Sequence, residues 1–262
     1  MKLNKLNKKH QYEWFTGFAE GDGSWQVDNT GRPIFIINRQ NPQVLYKIKK
    51  LVGYGQINGP YKNKNGSSYY RYRVGSREGH MKLIQIFNGN LVLKKTQDRF
   101  EKYLNAFNTY FESVNGIAFK DKRHIPTLND SWLSGFIDAD GSFSGTIRKN
   151  IQNDSFEVAV RATFSQKDSH DTMYYLRDLL GGTSSDYKST NIVRVFIANI
   201  KSKNKLIGYL AKFPLHSDKN IPFTRFKKIH VRLTDGNFKW RLQSRRAKER
   251  IATLVRNINK DI

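Results

Sequence analysis

The sequence predicts an α+β fold made of two copies of one unit, each running helix, two strands, helix, two strands and two helices. Three observations predict it. The segment Trp14-Phe-Thr-Gly-Phe-Ala-Glu-Gly-Asp-Gly-Ser24 returns as Trp132-Leu-Ser-Gly-Phe-Ile-Asp-Ala-Asp-Gly-Ser142. Leu45-Tyr-Lys-Ile-Lys-Lys-Leu-Val-Gly53 returns as Met173-Tyr-Tyr-Leu-Arg-Asp-Leu-Leu-Gly181. Between these landmarks the hydrophobic period switches from helical to alternating in the same order in both copies.

The first helix of each copy is apolar on most sides, which marks it as buried, and it stops at a glycine-flanked acid. Two strands follow. In the first copy Ser24, Gln26 and Asp28 alternate with Trp25 and Val27, and a turn at Thr30-Gly31-Arg32 leads into Ile34–Arg39. In the second copy Ser142, Ser144, Thr146 and Arg148 alternate with Phe143 and Ile147, and Phe156–Phe164 pairs back. Segments 42–52 and 170–180 read as helices closed by Gly53 and Gly181. Tyr69–Val74 and Ile192–Ile197 are the next strands. Asn90-Leu-Val-Leu-Lys-Lys95 parallels Pro214-Leu-His-Ser-Asp-Lys219, and Arg99-Phe100 parallels Arg225-Phe226. The repeats therefore span 11–110 and 130–233, with a linker at 111–129. The second copy is the longer, its extra residues falling most easily around 149–155. A basic amphipathic helix is expected within 234–262, with Ile251, Leu254, Val255 and Ile258 at helical spacing.

Charge narrows the function. The chain carries 46 Lys+Arg against 22 Asp+Glu, a net +24, and its pI is near 10.1. Such an excess calls for a polyanionic partner, most simply nucleic acid. The 13% of aromatic residues argues against disorder. Without cysteine there is no disulfide framework, no Cys-ligated zinc and no thiol nucleophile. No apolar run approaches the roughly 20 residues that span a bilayer, so no membrane role is expected. The start, MKLNKLNKKH, lacks the apolar stretch of a secretory signal, and its lack of acids leaves organelle targeting open. The histidines (His10, His80, His124, His170, His216 and His230) show no zinc-like spacing. The basic run Arg241–Arg250 reads as a solvated helix face as readily as a phosphate contact.

Asp22 and Asp140 carry the functional argument. Each falls where an apolar helix stops, so its carboxylate meets the negative end of the helix dipole. Placing an acid there twice calls for something positive nearby, and Mg²⁺ is commonly held by one or two carboxylates with phosphates and water. Gly17/Gly21 and Gly135/Ala139 are small residues four apart. Helices packed along them would bring Asp22 near Asp140, giving a metal-dependent phosphodiesterase centre in a strongly basic protein. A lone Asp-Gly would be read as a turn; a matched pair is not.

Phe15-Thr-Gly-Phe-Ala-Glu-Gly-Asp-Gly23 and Leu133-Ser-Gly-Phe-Ile-Asp-Ala-Asp-Gly141 resemble the two signature motifs of the single-chain LAGLIDADG homing endonucleases, over roughly residues 11–233. The resemblance implies two αββαββα repeats about a pseudo-twofold axis, two antiparallel sheets forming a saddle over DNA, and signature helices at the interface between repeats. It implies a monomer that cuts both strands of a long asymmetric duplex target, leaves 3′ overhangs and promotes mobility of its host intron. Asp22 and Asp140 would bind Mg²⁺; Mn²⁺ would substitute, and Ca²⁺ would bind without supporting efficient cleavage. Gln166 matches a family glutamine that orders water, and Asn38 is aligned with it in the first copy. Lys95 and Lys219 resemble the family's basic residue beside the scissile phosphate; Lys94 is an alternative to Lys95. Glu20 and Asp138, two residues before the metal acids, point away from them and read as structural or supporting groups.

Groove contacts are expected from the strand faces opposite Trp25, Val27, Phe143 and Ile147. That assigns Ser24, Gln26, Asp28, Ser142, Ser144, Thr146 and Arg148 to DNA. Arg71, Arg73, Lys188 and Arg194, alternating with Tyr70, Tyr72, Val193 and Val195, extend that face. A solvated polar face would show the same alternation. Two rival functions use the same fold: an RNA-binding intron maturase acting on its own intron RNA, and a DNA-binding regulator without chemistry. Neither needs both acids. An intron-encoded protein would reside in a mitochondrion or another organelle.

Overall fold

The computed structural model describes residues 7–112, 116–150, 155–235 and 245–260. The chain forms two compact units, Met1–Asp140 and Gly141–Ile262. In the first, α1 (Lys8–Asp22) leads into β1 (Gly23–Val27) and β2 (Pro33–Arg39). Then come α2 (Gln43–Val52), β3 (Gln56–Lys62), β4 (Ser68–Val74), α3 (Arg77–Phe87) and α4 (Lys94–Tyr110). Helix α5 (Trp132–Asp140) opens the second repeat but belongs to the first unit. The second unit contains β5 (Gly141–Asn150), β6 (Ser155–Lys167), α6 (His170–Leu180), β7 (Thr183–Tyr187), β8 (Ile192–Ile197), α7 (Ile200–Lys212), α8 (Asn220–Thr234) and α9 (Arg245–Arg256).

The two sheets share one topology. Their strand orders are β1-β2-β4-β3 and β5-β6-β8-β7, with every neighbouring pair antiparallel. The expected order of helices and strands is present in both copies. The greater length of the second copy appears in β5 and β6, which outrun β1 and β2; residues 151–154 of that expected insertion lie outside the described residues. Residues 241–244 of the basic run also lie outside them.

Local sequence explains the elements. In α2, Val44, Leu45, Ile48 and Val52 form one buried stripe, and Gly53 closes the helix at φ 85°, a conformation costly for a side chain. Helix α6 repeats the device with Met173, Leu176, Leu180 and Gly181 at φ 71°. In β2, Phe35 and Ile37 are buried while Ile34 and Ile36 are half-buried and Asn38 is exposed, so strand parity sets a core face and a polar face. Helix α4 packs on β1 and β2, and α8 on β5 and β6. On α9, Ile251 and Val255 are buried, as is Ile258 in the turn beyond the helix end, and a Cβ at Gly145 of β5 would lie 2.7 Å from Val255 Cγ1. One position departs from its expected face: Val27, at the end of β1, is 44% exposed. Strand parity points it inward, but the core ends at Trp25.

The first unit holds a buried histidine in its aromatic core. His80 bonds through Nδ1 to the Tyr103 hydroxyl and packs edge-on against Phe107. Burial lowers its pKa from 6.5 to about 4, with the Arg32 guanidinium adding to the effect. The neutral ring is thus part of the fold, and its stabilisation is complete above pH 6.5 and lost as pH falls toward 4. Urea melts should show the wild type losing about 2–3 kcal/mol more than His80→Gln between about pH 7 and about pH 4.5. Parallel pH curves for the two proteins would contradict this assignment.

Candidate functional site

The site is built where α1 and α5 cross. A Cβ on Gly17 would lie 1.9 Å from the Trp132 carbonyl oxygen, and one on Gly135 would lie 1.8 Å from that of Trp14. The two backbones therefore touch, and only glycine fits at either position. Around the crossing the helices exchange hydrogen bonds. Trp14 Nε1 donates to Asp138 Oδ2 at 2.9 Å, and Trp132 Nε1 donates to Glu20 Oε2 at 2.7 Å. Both acids are buried, so each indole satisfies a carboxylate on the opposite helix.

Glu20 does more than meet Trp132. It accepts the backbone N–H of Val92 at 3.0 Å and that of Leu93 at 2.7 Å, tying α1 to the residues that lead into α4. Burial pushes its pKa up to about 7, against the pull of these donors. The acids two residues before Asp22 and Asp140 thus act as internal ties.

Past the crossing the helices end together. Asp22 closes α1, Asp140 closes α5, and both are half-buried. A Cβ on Gly21 would sit 3.1 Å from Asp140 Oδ2 and 2.4 Å from Ala139 Cβ, so the Asp140 carboxylate lies against the residue preceding Asp22. The helices thus pack along these small residues, and Asp140 lies beside the end of α1. The positive partner called for at Asp22 is an arginine. Arg39 Nε lies 3.1 Å from Asp22 Oδ2, with the two side chains 20% and 21% exposed. Arg39 Nη2 donates to the Asp138 carbonyl at 2.6 Å, and the guanidinium stacks over the Phe18 ring at 5.0 Å.

The ladders correct one alignment. Gly23 pairs with Ile37 in the first sheet and Gly141 with Phe164 in the second. Gln166 therefore corresponds to Arg39, and Asn38 corresponds to Ser165. A one-residue slip changes the face of the sheet. Arg39 follows Phe35 and Ile37 on the core face, whereas Asn38 lies on the polar face and accepts from Arg71 Nε at 3.0 Å.

Other site candidates fall as follows. Lys95 lies in the first turn of α4 and Lys219 caps α8, its N–H donating to Ser217 Oγ. Lys94, the alternative, pairs with Asp98 at 2.9 Å. On the polar face of the first sheet are Ser24, Gln26, Arg71 and Arg73; Gln26 Nε2 donates to Ser24 Oγ. Asp28 lies beyond β1, where its Oδ1 accepts from the N–H groups of Thr30 and Arg32 and from the Thr30 hydroxyl; the hydroxyl bond leads in lowering its pKa. In the second sheet Ser142, Thr146 and Arg148 are exposed and Ser144 is half-buried, all on one face of β5. Arg194 stacks over Tyr187 at 5.0 Å, as Arg71 does over Tyr61 at 5.4 Å. Lys188 sits in the turn after β7, not on the strand face. Sequence reasoning missed Arg39, and also Arg161, Thr163 and Ser165, which continue the polar face of β6; alternation along β6 was the available signal.

The sequence profile of the LAGLIDADG endonucleases matches residues 15–107 and 133–230. The chain belongs to the LAGLIDADG endonuclease family. Probable intron-encoded endonuclease 4 of Neurospora crassa is 34% identical over 224 residues, 85% of this chain and 40% of that protein. Intron-encoded RNA maturase bI4 of Saccharomyces cerevisiae is 27% identical over 236 residues, 83% of this chain and 34% of that protein. The chain thus spans less than half the length of either relative. Among solved structures, the meganuclease I-SmaMI bound to uncleaveable DNA superposes with a TM-score of 0.78 at 20% identity, covering 98% of this chain and 99% of that one. The same meganuclease bound to uncleaved DNA in the presence of calcium ions gives 0.73 at 20% identity, covering 98% and 100%. These likenesses show that the LAGLIDADG meganuclease fold is present here. Among the described residues no helix is long and apolar enough to cross a membrane.

The residues fit a hard divalent cation. Asp22 and Asp140 supply oxygen donors, and no described group of three or more His, Cys, Asp or Glu side chains could hold a metal alone. Two carboxylates leave coordination positions that water fills, and that phosphate fills when DNA is bound, as Mg²⁺ sites commonly show.

The crossing is open to a direct test. Gly135→Ala should cost more than about 3 kcal/mol in chemical denaturation, because the new methyl meets backbone rather than a flexible side chain. Gly208→Ala in α7, where a Cβ meets nothing within 4 Å, should instead gain about 0.5–1 kcal/mol. Equal effects would refute the backbone contact.

Proposed function

We propose that this chain is a site-specific endonuclease that hydrolyses both strands of a long asymmetric DNA duplex, leaves 3′ overhangs and promotes mobility of its host intron. The observation that carries the reading is the pair Asp22 and Asp140, held at the ends of two helices whose backbones touch. The acids lie in a protein of net charge +24, suited to a phosphate backbone. Probable intron-encoded endonuclease 4 of Neurospora crassa and the DNA-bound meganuclease I-SmaMI support the same assignment.

Asp22 and Asp140 would hold Mg²⁺, with Mn²⁺ able to substitute; a bound divalent ion activates water and offsets charge on a phosphoryl oxygen. The calcium-containing complex of I-SmaMI with uncleaved DNA supports Ca²⁺ as a binding ion that does not promote efficient cleavage. The chain's own residues then divide the remaining work. Gln166 offers an uncharged amide that orders water. Lys95 and Lys219 supply fixed positive charge toward the phosphate undergoing attack. Asn38, with the amide role withdrawn by its register, joins Arg71 on the groove face.

Sequence readout belongs to the polar strand faces. Ser24, Gln26, Arg71 and Arg73 serve one half-site, and Ser142, Ser144, Thr146, Arg148 and Arg194 serve the other. Because the two sets differ, the target is asymmetric. Arg71 and Arg194 are pre-set for this work by the tyrosines beneath them, which reduces the ordering cost of a guanidinium aimed at a guanine edge. Asp28 and Lys188, in turns, flank these faces. The protein acts as a monomer, in a mitochondrion or another organelle. A maturase relative of comparable coverage supports a second reading, assistance in splicing of its own intron RNA, which would use the basic surface and not the acids.

Asp22→Asn and Asp140→Asn should each abolish double-strand cleavage while leaving DNA affinity within a few-fold, read by gel assays on a target recovered by cleavage selection from a randomised duplex library. Loss of binding in step with cleavage would make the acids structural and remove the enzyme assignment.

A further inference from the structure

We propose that Arg39 guards the Asp22 half of the metal centre, so that a divalent cation reaches this carboxylate only in competition with a fixed guanidinium. The inference rests on the reading of Asp22 as a metal ligand. Three contacts hold Arg39 in place: Nε against Asp22 Oδ2 at 3.1 Å, Nη2 donating to the Asp138 carbonyl at 2.6 Å, and stacking on Phe18 at 5.0 Å. A guanidinium so anchored does not swing away freely, and it keeps its charge at every accessible pH.

The register shows that this charge is particular to the first repeat. The equivalent position of the second sheet is Gln166, an uncharged side chain at the same point of its ladder. The two halves thus differ at one defined place by a full positive charge. A cation beside a carboxylate typically holds off a competing proton by a factor of about ten or more. The same repulsion, and the same use of Oδ2, acts against a metal ion. Metal delivery to Asp22 is then weaker than it would be with a neutral residue at position 39.

Mn²⁺ binding to the full-length chain, followed by electron paramagnetic resonance without DNA, separates the possibilities independently of cleavage. Asp22→Asn and Asp140→Asn identify the site that each acid provides. Arg39→Gln should raise the Mn²⁺ affinity of the Asp22-dependent site about tenfold. Arg39→Met, which keeps the packing on Phe18 without charge, should do the same should the glutamine variant fold poorly. Arg39→Lys should stay near wild type. Unchanged or weaker binding in both neutral variants would overturn the guard and leave Arg39 a structural contact. If neither acid variant loses a Mn²⁺ site, the metal-ligand reading itself fails, an outcome distinct from two intact sites that ignore Arg39.

Discussion

Everything at the site depends on how closely α1 and α5 approach. Their carbonyls at Trp14 and Trp132 occupy space that a methyl group on Gly135 or Gly17 would need. Such contact offers little apolar area at the crossing itself, so the helices are locked by what surrounds it. The exchanged indole-to-carboxylate bonds do this with four side chains, two of them buried acids. Removing either indole would leave a buried carboxylate short of a donor, an outcome costing several kcal/mol where no water can replace it. Through Glu20 the lock reaches the backbone ahead of α4, and so the helix that carries Lys95.

Strand parity organises the rest. Each sheet sends alternate side chains into its helices and the others to a polar face, and the end of β2 brings the two roles together. Arg39, the last core-face residue of its strand, meets the last residue of α1; its neighbour Asn38 faces outward to Arg71. One strand end thus meets both the acid at the end of α1 and the polar face of the sheet. Aromatic residues perform a matching task on both sheets, with Tyr61 and Tyr69 beside Arg71 and Tyr187 beside Arg194. A stacked guanidinium retains its outward donors while its unbound freedom is reduced.

Much of this was legible in the chain. The order of elements, the glycine-closed helices and the pairing of Asp22 with Asp140 follow from repetition and local period, which any sequence displays. The structural duty of Glu20 and Asp138 follows from their offset on the helix, though their indole partners do not, because each sits on the other helix. Arg39 was illegible for a related reason. Its meaning arises from a ladder register, and an ungapped alignment of the two copies slips by one residue there, placing Asn38 opposite Gln166. Val27 and Lys188 went astray at strand ends, where alternation continues in sequence after the sheet or its core has stopped. Asp28 continues the alternation in sequence, but the fold places it beyond β1 in a turn that uses its Oδ1.

On the function proposed above, the two acids at this crossing make the chain a DNA-cutting enzyme with a long target. Cleavage selection from a randomised duplex library in Mg²⁺, followed by sequencing of both product ends, tests it most directly. The expected result is a single long, asymmetric consensus cut on both strands with 3′ overhangs. Recovery of a bound consensus with both strands intact would contradict it and identify the fold as a DNA-binding regulator.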